Sequence, residues 1–311
     1  MTASNAISSS RTAPAGKRHG NGESSSSTGS AELPRSFALT GPSVALDPRI
    51  HAWRNDIADI ALAGRLFAPH YAKPLPRSCG LIARPVYDSP SDTADAVTEL
   101  LPGEGFAVLD ITSGWAWGYC TADHRVGYIE AIELTDPLPV SHFVVEANAP
   151  IHAGADPMAP LLSHLPMGSR LSGHVQGALL AVEGGFVPLS YLHEAGEYET
   201  CSATVAQRLL GAPWRAGGRS CHGIDCSGLV QLSLQLCGIP CPRDIDMQRA
   251  LGEPVPAGSR HMRGDIVFCG GVVGIMLDDQ LVIHVSETLG RVTVEPLHCV
   301  GELLERRRIG A

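Results

Sequence analysis

The residues able to do chemistry concentrate in Gly223-Ile224-Asp225-Cys226-Ser227-Gly228-Leu229-Val230. After Cys226, the apolar Leu229, Val230, Leu232, Leu234 and Leu236 fall at roughly helical spacing, and Gly238 followed by Pro240 stops the run. The spacing predicts a helix with Cys226 at its N-terminus, reached through a loop that Gly217-Gly218 and Gly223 allow to turn sharply. A thiol there faces unpaired N–H groups and the positive end of the helix dipole, and both favour the nucleophilic thiolate. Such a nucleophile needs an imidazole to take its proton, a polar group to orient that imidazole, and donors for the developing oxyanion. The N–H of Cys226 is the first such donor. The histidines to consider are His284 in Leu281-Val-Ile-His284, His222 four residues before the cysteine, and His261.

The elements that must position this thiol follow from the same pattern. A helix over Ala203–Leu210 is ended by Gly211-Ala-Pro213, and a second short helix starts near Asp244. Strands are expected over Asp265–Cys269, Val272–Leu277, Leu281–Val285 and Arg291–Pro296, with Asp278-Asp279 as a turn. Helices first and an antiparallel sheet after is an α+β plan. Upstream, two stretches of about sixty residues resemble each other. Each carries an apolar-Pro-apolar strand, a Leu-Pro turn with Gly close behind (Leu101-Pro-Gly103; Leu165-Pro-Met-Gly168), and a closing Gly-x-apolar strand. Each suits a small β-barrel. Trp115 and Trp117 alternate with Ala116 and so share a face, read as the barrel core. Ile57, Ile60, Ala61, Ala63 and Leu66 hint at a short helix in the lead-in.

Taken with Gly211-Ala-Pro-Trp-Arg-Ala-Gly-Gly-Arg-Ser220 and Arg263-Gly-Asp-Ile-Val-Phe268, the Asp225-Cys-Ser-Gly-Leu-Val230 segment resembles the NlpC-type cell-wall endopeptidases over roughly Glu197 to Glu305. These are papain-like cysteine peptidases, and tandem bacterial SH3-like domains before the catalytic domain are a known arrangement among them. The resemblance implies a papain-like C-terminal domain behind two SH3-like barrels. It divides the chain into a tail (1–40), a lead-in (41–75), two barrels (76–137 and 138–196) and the peptidase domain (197–311). It implies hydrolysis of γ-D-glutamyl-diaminopimelate bonds in short peptidoglycan peptides, with a role in cell-wall peptide recycling. Cys226 and His284 are the catalytic positions it supplies, and Asp225, Ser227 and Trp214 the substrate-binding ones. It also shows departures. The family's base is a His heading a His-Val-Gly-Ile strand, and here that strand reads Val272-Val273-Gly274-Ile275. His284 matches the residue that normally orients that base. Trp214 stands where Tyr is usual and Ala216 where Trp is usual. Two readings follow: a cysteine peptidase, or a pseudoenzyme that binds cell-wall peptides without a competent base. N-capping of the helix is an equally good role for Asp225 and Ser227.

A chain of 311 residues with 44% hydrophobic and 18% charged residues fits two or three globular domains. A net charge of -9 argues against nucleic acid and anionic membranes as partners. Met1–Leu33 is rich in Ser, Gly and Thr and lacks the apolar core of a signal peptide, which gives the expectation of a disordered tail and a cytoplasmic protein. Nine scattered cysteines then read as reduced thiols. Cys226 and Cys237, at opposite ends of one helix, would lie roughly 16 Å apart, beyond the reach of one tetrahedral zinc. No metal or cofactor is implied, and the oligomeric state is left open.

Overall fold

The computed structural model describes residues 45–156 and 158–310, all within one compact unit. The Ser-rich tail lies outside the described residues. The fold is mixed α and β, with an SH3-like N-terminal region and a curled C-terminal sheet carrying the helices.

The first barrel is a seven-stranded sheet built from strands between Leu75 and Thr135. Its core gathers Val86, Leu100, Phe106, Ala116 and Ile129, all buried. This corrects the sequence reading of the tryptophans. Period-two alternation does put Trp115 and Trp117 on one face, but the barrel core lies on the other, under Ala116. Trp117 is buried instead against Ala52 and Leu109, beneath the lead-in, and the Arg54 guanidinium stacks 4.4 Å from its ring centroid. The Trp117 indole therefore fastens the lead-in to the barrel.

The lead-in contains no helix at 57–66. Ile57–Asp59 pairs in parallel with His70–Ala72, and Ile60–Leu62 forms a single 3-10 turn. The Asp59 carboxylate accepts the Ala61 N–H at 2.9 Å, and Gly64 at φ +84° takes the chain out of any helical path. Of the apolar residues expected on that helix, Ile60 is 52% exposed, Ala61 and Ala63 are exposed, and Ile57 and Leu66 are only half-buried.

The second barrel has a five-stranded sheet and a three-stranded sheet between His142 and Glu194, closing over Val144, Ile151, Leu165, Leu180 and Val187. The C-terminal region holds helices α1 (Ser202–Arg208) and α2 (Cys226–Leu236). They pack on a six-stranded sheet of β1 (Glu253–Pro254), β2 (Ile266–Cys269), β3 (Val272–Met276), β4 (Leu281–Ser286), β5 (Arg291–Pro296) and β6 (Leu303–Arg308), in spatial order β1-β6-β2-β3-β4-β5. Leu229, Val230, Leu232 and Leu234 of α2 meet Phe268, Val273, Ile275, Ile283 and Val285 of the sheet in one core. Each such buried side chain stabilises by about 1.5–3 kcal/mol.

One buried ion pair locks the first barrel to this domain. Arg219, 1% exposed, donates to both oxygens of Glu104 at 2.7 and 3.1 Å, to the Glu99 carbonyl at 2.9 Å and to Gln235 Oε1 at 2.8 Å. Its guanidinium therefore joins a barrel turn to the helix that carries Cys226.

Candidate active site

Cys226 occupies the first position of α2, as the apolar spacing predicts, and Asp225 caps the helix with extended φ/ψ. The Asp225 carboxylate accepts the Gly228 N–H at 2.7 Å, the N-cap interaction, while Ser227 lies inside the helix and does not cap it. It also accepts the Gly217 N–H at 3.0 Å, the Ser227 hydroxyl at 3.1 Å, and both Arg243 terminal nitrogens at 3.0 and 2.6 Å. A carboxylate offers about four lone-pair sites, and five donors already converge on this one. Ser227 is buried, and its hydroxyl in turn accepts from Arg243 at 2.6 Å. Arg243 reaches across to Thr98 Oγ1 of the first barrel at 3.0 Å, so this network ties the catalytic loop to the barrel. Arg243 did not figure among the sequence candidates. Its only signal was a basic residue in Pro242-Arg-Asp244 ahead of a short helix.

The sulfur of Cys226 meets the backbone N–H groups of Val273 and Ser227. Burial nevertheless pushes the thiol up from its ordinary value, with the Asp225 charge adding to the rise; the two N–H groups and Arg243 pull the other way and lose. Desolvation thus works against the thiolate that the helix terminus favours. The dipole is worth about 0.3–1 kcal/mol at an exposed site, while burial can shift a group by several pKa units. The cysteine that is pulled down is Cys201. Burial opposes the shift there, but the Thr204 hydroxyl and N–H and the Arg263 cation outweigh it.

Register sets which residues share a face with Val272. Gly274 of β3 pairs with His284 of β4, so Val272, Gly274 and His284 share a face. A Cβ on Gly274 would come within 3.1 Å of the His284 Cβ and 2.7 Å of Val282 Cγ2, so the glycine makes room for the imidazole. His284, 4% exposed, gives its Nε2 to Glu295 Oε2 of β5 at 3.0 Å. Its Nδ1 is buried with no partner. Among the described residues no imidazole is hydrogen-bonded to the Cys226 thiol. His222 is exposed beside the thiol's loop, and His261 accepts from Arg306 at 2.6 Å. Trp214, 40% exposed, bridges to Ile224 just ahead of the cysteine and presents its indole at the surface. Among the described residues the arrangement puts a thiol at a helix N-terminus and holds His284 by a carboxylate, with no imidazole hydrogen-bonded to the thiol.

Comparison with known proteins agrees with this geometry. Residues 211–302 match the NlpC/P60 family, and residues 86–134 match the bacterial dipeptidyl-peptidase SH3 domain. A probable endopeptidase of Mycobacterium tuberculosis is 30% identical over 183 residues, covering 58% of this chain and 45% of that protein. A probable endopeptidase, an NlpC homolog of Haemophilus influenzae, is 34% identical over 98 residues, covering 30% of this chain and 52% of that protein. The chain thus spans about half the length of the curated relatives it matches. The crystal structure of an NlpC/P60 family protein from Bacillus cereus superposes with a TM-score of 0.66 at 17% identity, covering 75% of this chain and 99% of that one, a likeness of fold.

Proposed function

From a chain whose residues 211–302 belong to the NlpC/P60 family, behind a bacterial SH3 domain at residues 86–134, we infer a cysteine hydrolase of short peptidoglycan peptides whose turnover is slow. The observation that carries it is Cys226 at the first turn of α2, its sulfur against the Val273 N–H at the head of the strand where a base would stand. The Cys226 N–H has no intrahelical acceptor and suits an oxyanion. The bond cleaved is a γ-D-glutamyl-diaminopimelate bond and the setting the recycling of cell-wall peptides in the cytoplasm, both carried over from the resemblance around Asp225–Val230. Trp214, Asp225 and Ser227 line the substrate's approach. Asp225 acts through the loop it holds, since its lone pairs are engaged by Arg243, Gly217, Gly228 and Ser227.

A second reading is favoured by the burial-raised thiol together with Val272: a pseudoenzyme that binds such peptides and does not cut them. The two are separated by incubating the full chain and its Cys226→Ala variant with the tripeptide Ala-γ-D-Glu-diaminopimelate and following products by mass spectrometry. Slow, Cys226-dependent release of diaminopimelate supports the hydrolase. Saturable binding with no release by either protein supports the pseudoenzyme. Neither binding nor release overturns both.

A further inference from the structure

Away from Cys226, a cavity of about 590 Å³ opens where the two barrels meet. It is walled by turns of both barrels and by the linker between them. Its size falls within the roughly 300–1,000 Å³ of small-molecule sites, which favour domain interfaces and combine apolar walls with a few convergent polar groups.

The cavity is built on fixed backbone. The Arg170 N–H, in the second barrel, donates to the Pro102 carbonyl of the first at 2.8 Å, and the neighbouring Gly103 N–H donates to the Cys79 carbonyl at 3.0 Å. A Cβ on Gly103 would collide with the Arg170 carbonyl oxygen, so only glycine permits this approach. Opposite, the hairpin tip Glu183-Gly184 closes on Leu81 of the first barrel, which a Cβ on Gly184 would touch at 3.4 Å. Leu81, Leu138, Val140, Leu171 and Val182 supply the apolar wall.

Two charged side chains lining this cavity have no hydrogen-bonded partner among the described residues. Among the described residues the Arg170 guanidinium makes no ion pair or side-chain hydrogen bond. Its acidic neighbour Glu104 is engaged by Arg219 at 2.7 Å and the Leu101 N–H at 2.9 Å. Glu183 is likewise unpaired among the described residues, whereas Asp136 is held by Arg77. Arg170, whose charge also acts on the buried Glu104 carboxylate, and the exposed Glu183 flank a shared apolar wall. We propose that this cavity binds a short zwitterionic peptide with apolar side chains, its carboxylate on Arg170 and its ammonium on Glu183. An arginine fork suits a carboxylate, and the two acids on the same wall disfavour phosphate and other polyanions.

The test uses the full chain and the dipeptide Ala-Leu, its C-terminal amide and its N-acetyl form, followed by calorimetry and by amide shifts at Gly80, Gly103 and Gly184. At ordinary ligand efficiency a ligand of this size has a dissociation constant of about 1 mM. The free dipeptide should bind in that range, and its amide roughly tenfold or more weaker, the loss expected for a charge-assisted contact. Arg170→Gln should weaken the free peptide by the same factor and abolish its advantage over the amide. Glu183→Gln should weaken the free dipeptide and leave the N-acetyl form unchanged. Equal binding of peptide and amide, binding indifferent to Arg170→Gln in a variant with unaltered melting temperature, or no saturable shift up to about 10 mM would each overturn the proposal. Because the probe's contacts lie away from Cys226, failure here is distinct from failure of the hydrolase reading.

Discussion

His284 Nε2 lies 3.0 Å from Glu295 Oε2, while His284 Nδ1 is buried without a partner. A carboxylate can only accept, so Nε2 carries the hydrogen of this contact. An imidazole held by a carboxylate in this way is suited to orienting a neighbouring polar group, and position 272 on the same face is a valine. Nitrogen NMR of the native chain should report the Nε2–H form at His284. Glu295→Leu should convert it to a mixture, whereas an unchanged spectrum would deny Glu295 its role.

The same pair shows what could be read from residues alone. His284 was visible because Leu281-Val-Ile-His284 matches the polar position that follows the base strand in the family it resembles. Glu295 was not, because its partnership depends on the β4–β5 register, and a Val-Glu-Pro stretch carries no local mark of it. The helix behind Cys226 and strands β2 to β5 followed from apolar periodicity, their ends within a residue or two of expectation. Strand β6 escaped notice. Leu303-Leu-Glu-Arg-Arg-Arg308 has no clean alternation, and its insertion between β1 and β2 is a matter of topology. The thiol's setting was half legible for a related reason: a helix terminus can be seen in sequence, but the burial that opposes it cannot.

Thiol reactivity should follow the altered order. With an alkylating agent at neutral pH, the partly exposed Cys201, pulled down by Thr204 and Arg263, and the exposed Cys299 should label before Cys226. Cys79, Cys120 and Cys241 should label last. Mass mapping of partially labelled folded protein checks this, and Cys226 labelling first would contradict it.

Alkaline pH should loosen the fold. Burial raises Cys237 to about 11 and Cys79 and Cys241 to about 12, with Cys120 well above its ordinary value. Unfolded thiols titrate near 8.5, so above that pH the unfolded chain binds fewer protons and stability must fall. Each thiol contributes up to about 1.4 kcal/mol per pH unit until its folded value is passed. The urea midpoint should therefore drop between pH 8.5 and 10.5, and a flat or rising midpoint would refute the assignment.

Removing the inter-domain clamp should cost more than any surface change. Arg219→Ala leaves Glu104 buried without its cation, a loss of about 3–5 kcal/mol, while the double change Arg219→Met with Glu104→Gln should recover much of it. Burial opposes ionisation of Glu104, yet Arg219 and Arg170 hold its carboxyl below the ordinary range. The stability this pair supplies is thus present above the unfolded value near 4.3 and is lost as pH falls through the lower folded one. Denaturant melts of the three proteins at pH 7 and pH 3 test both statements. Equal stability of Arg219→Ala and the native chain would contradict them.

The central claim is that an intact nucleophile here lacks its base, and Val272→His tests it most directly. The helix terminus cannot replace a group that must also protonate the leaving amine, and general acid–base catalysis is typically worth about 10²–10⁴-fold. His284, held by Glu295, is already placed on the same face to orient an imidazole at 272. The rate of γ-D-glutamyl-diaminopimelate cleavage should be measured for the native chain and for Val272→His, each beside its Cys226→Ala counterpart. The account predicts a barely detectable native rate and a Cys226-dependent rise of at least tenfold in Val272→His. A robust Cys226-dependent rate in the native chain, unimproved by a correctly folded Val272→His, would contradict it.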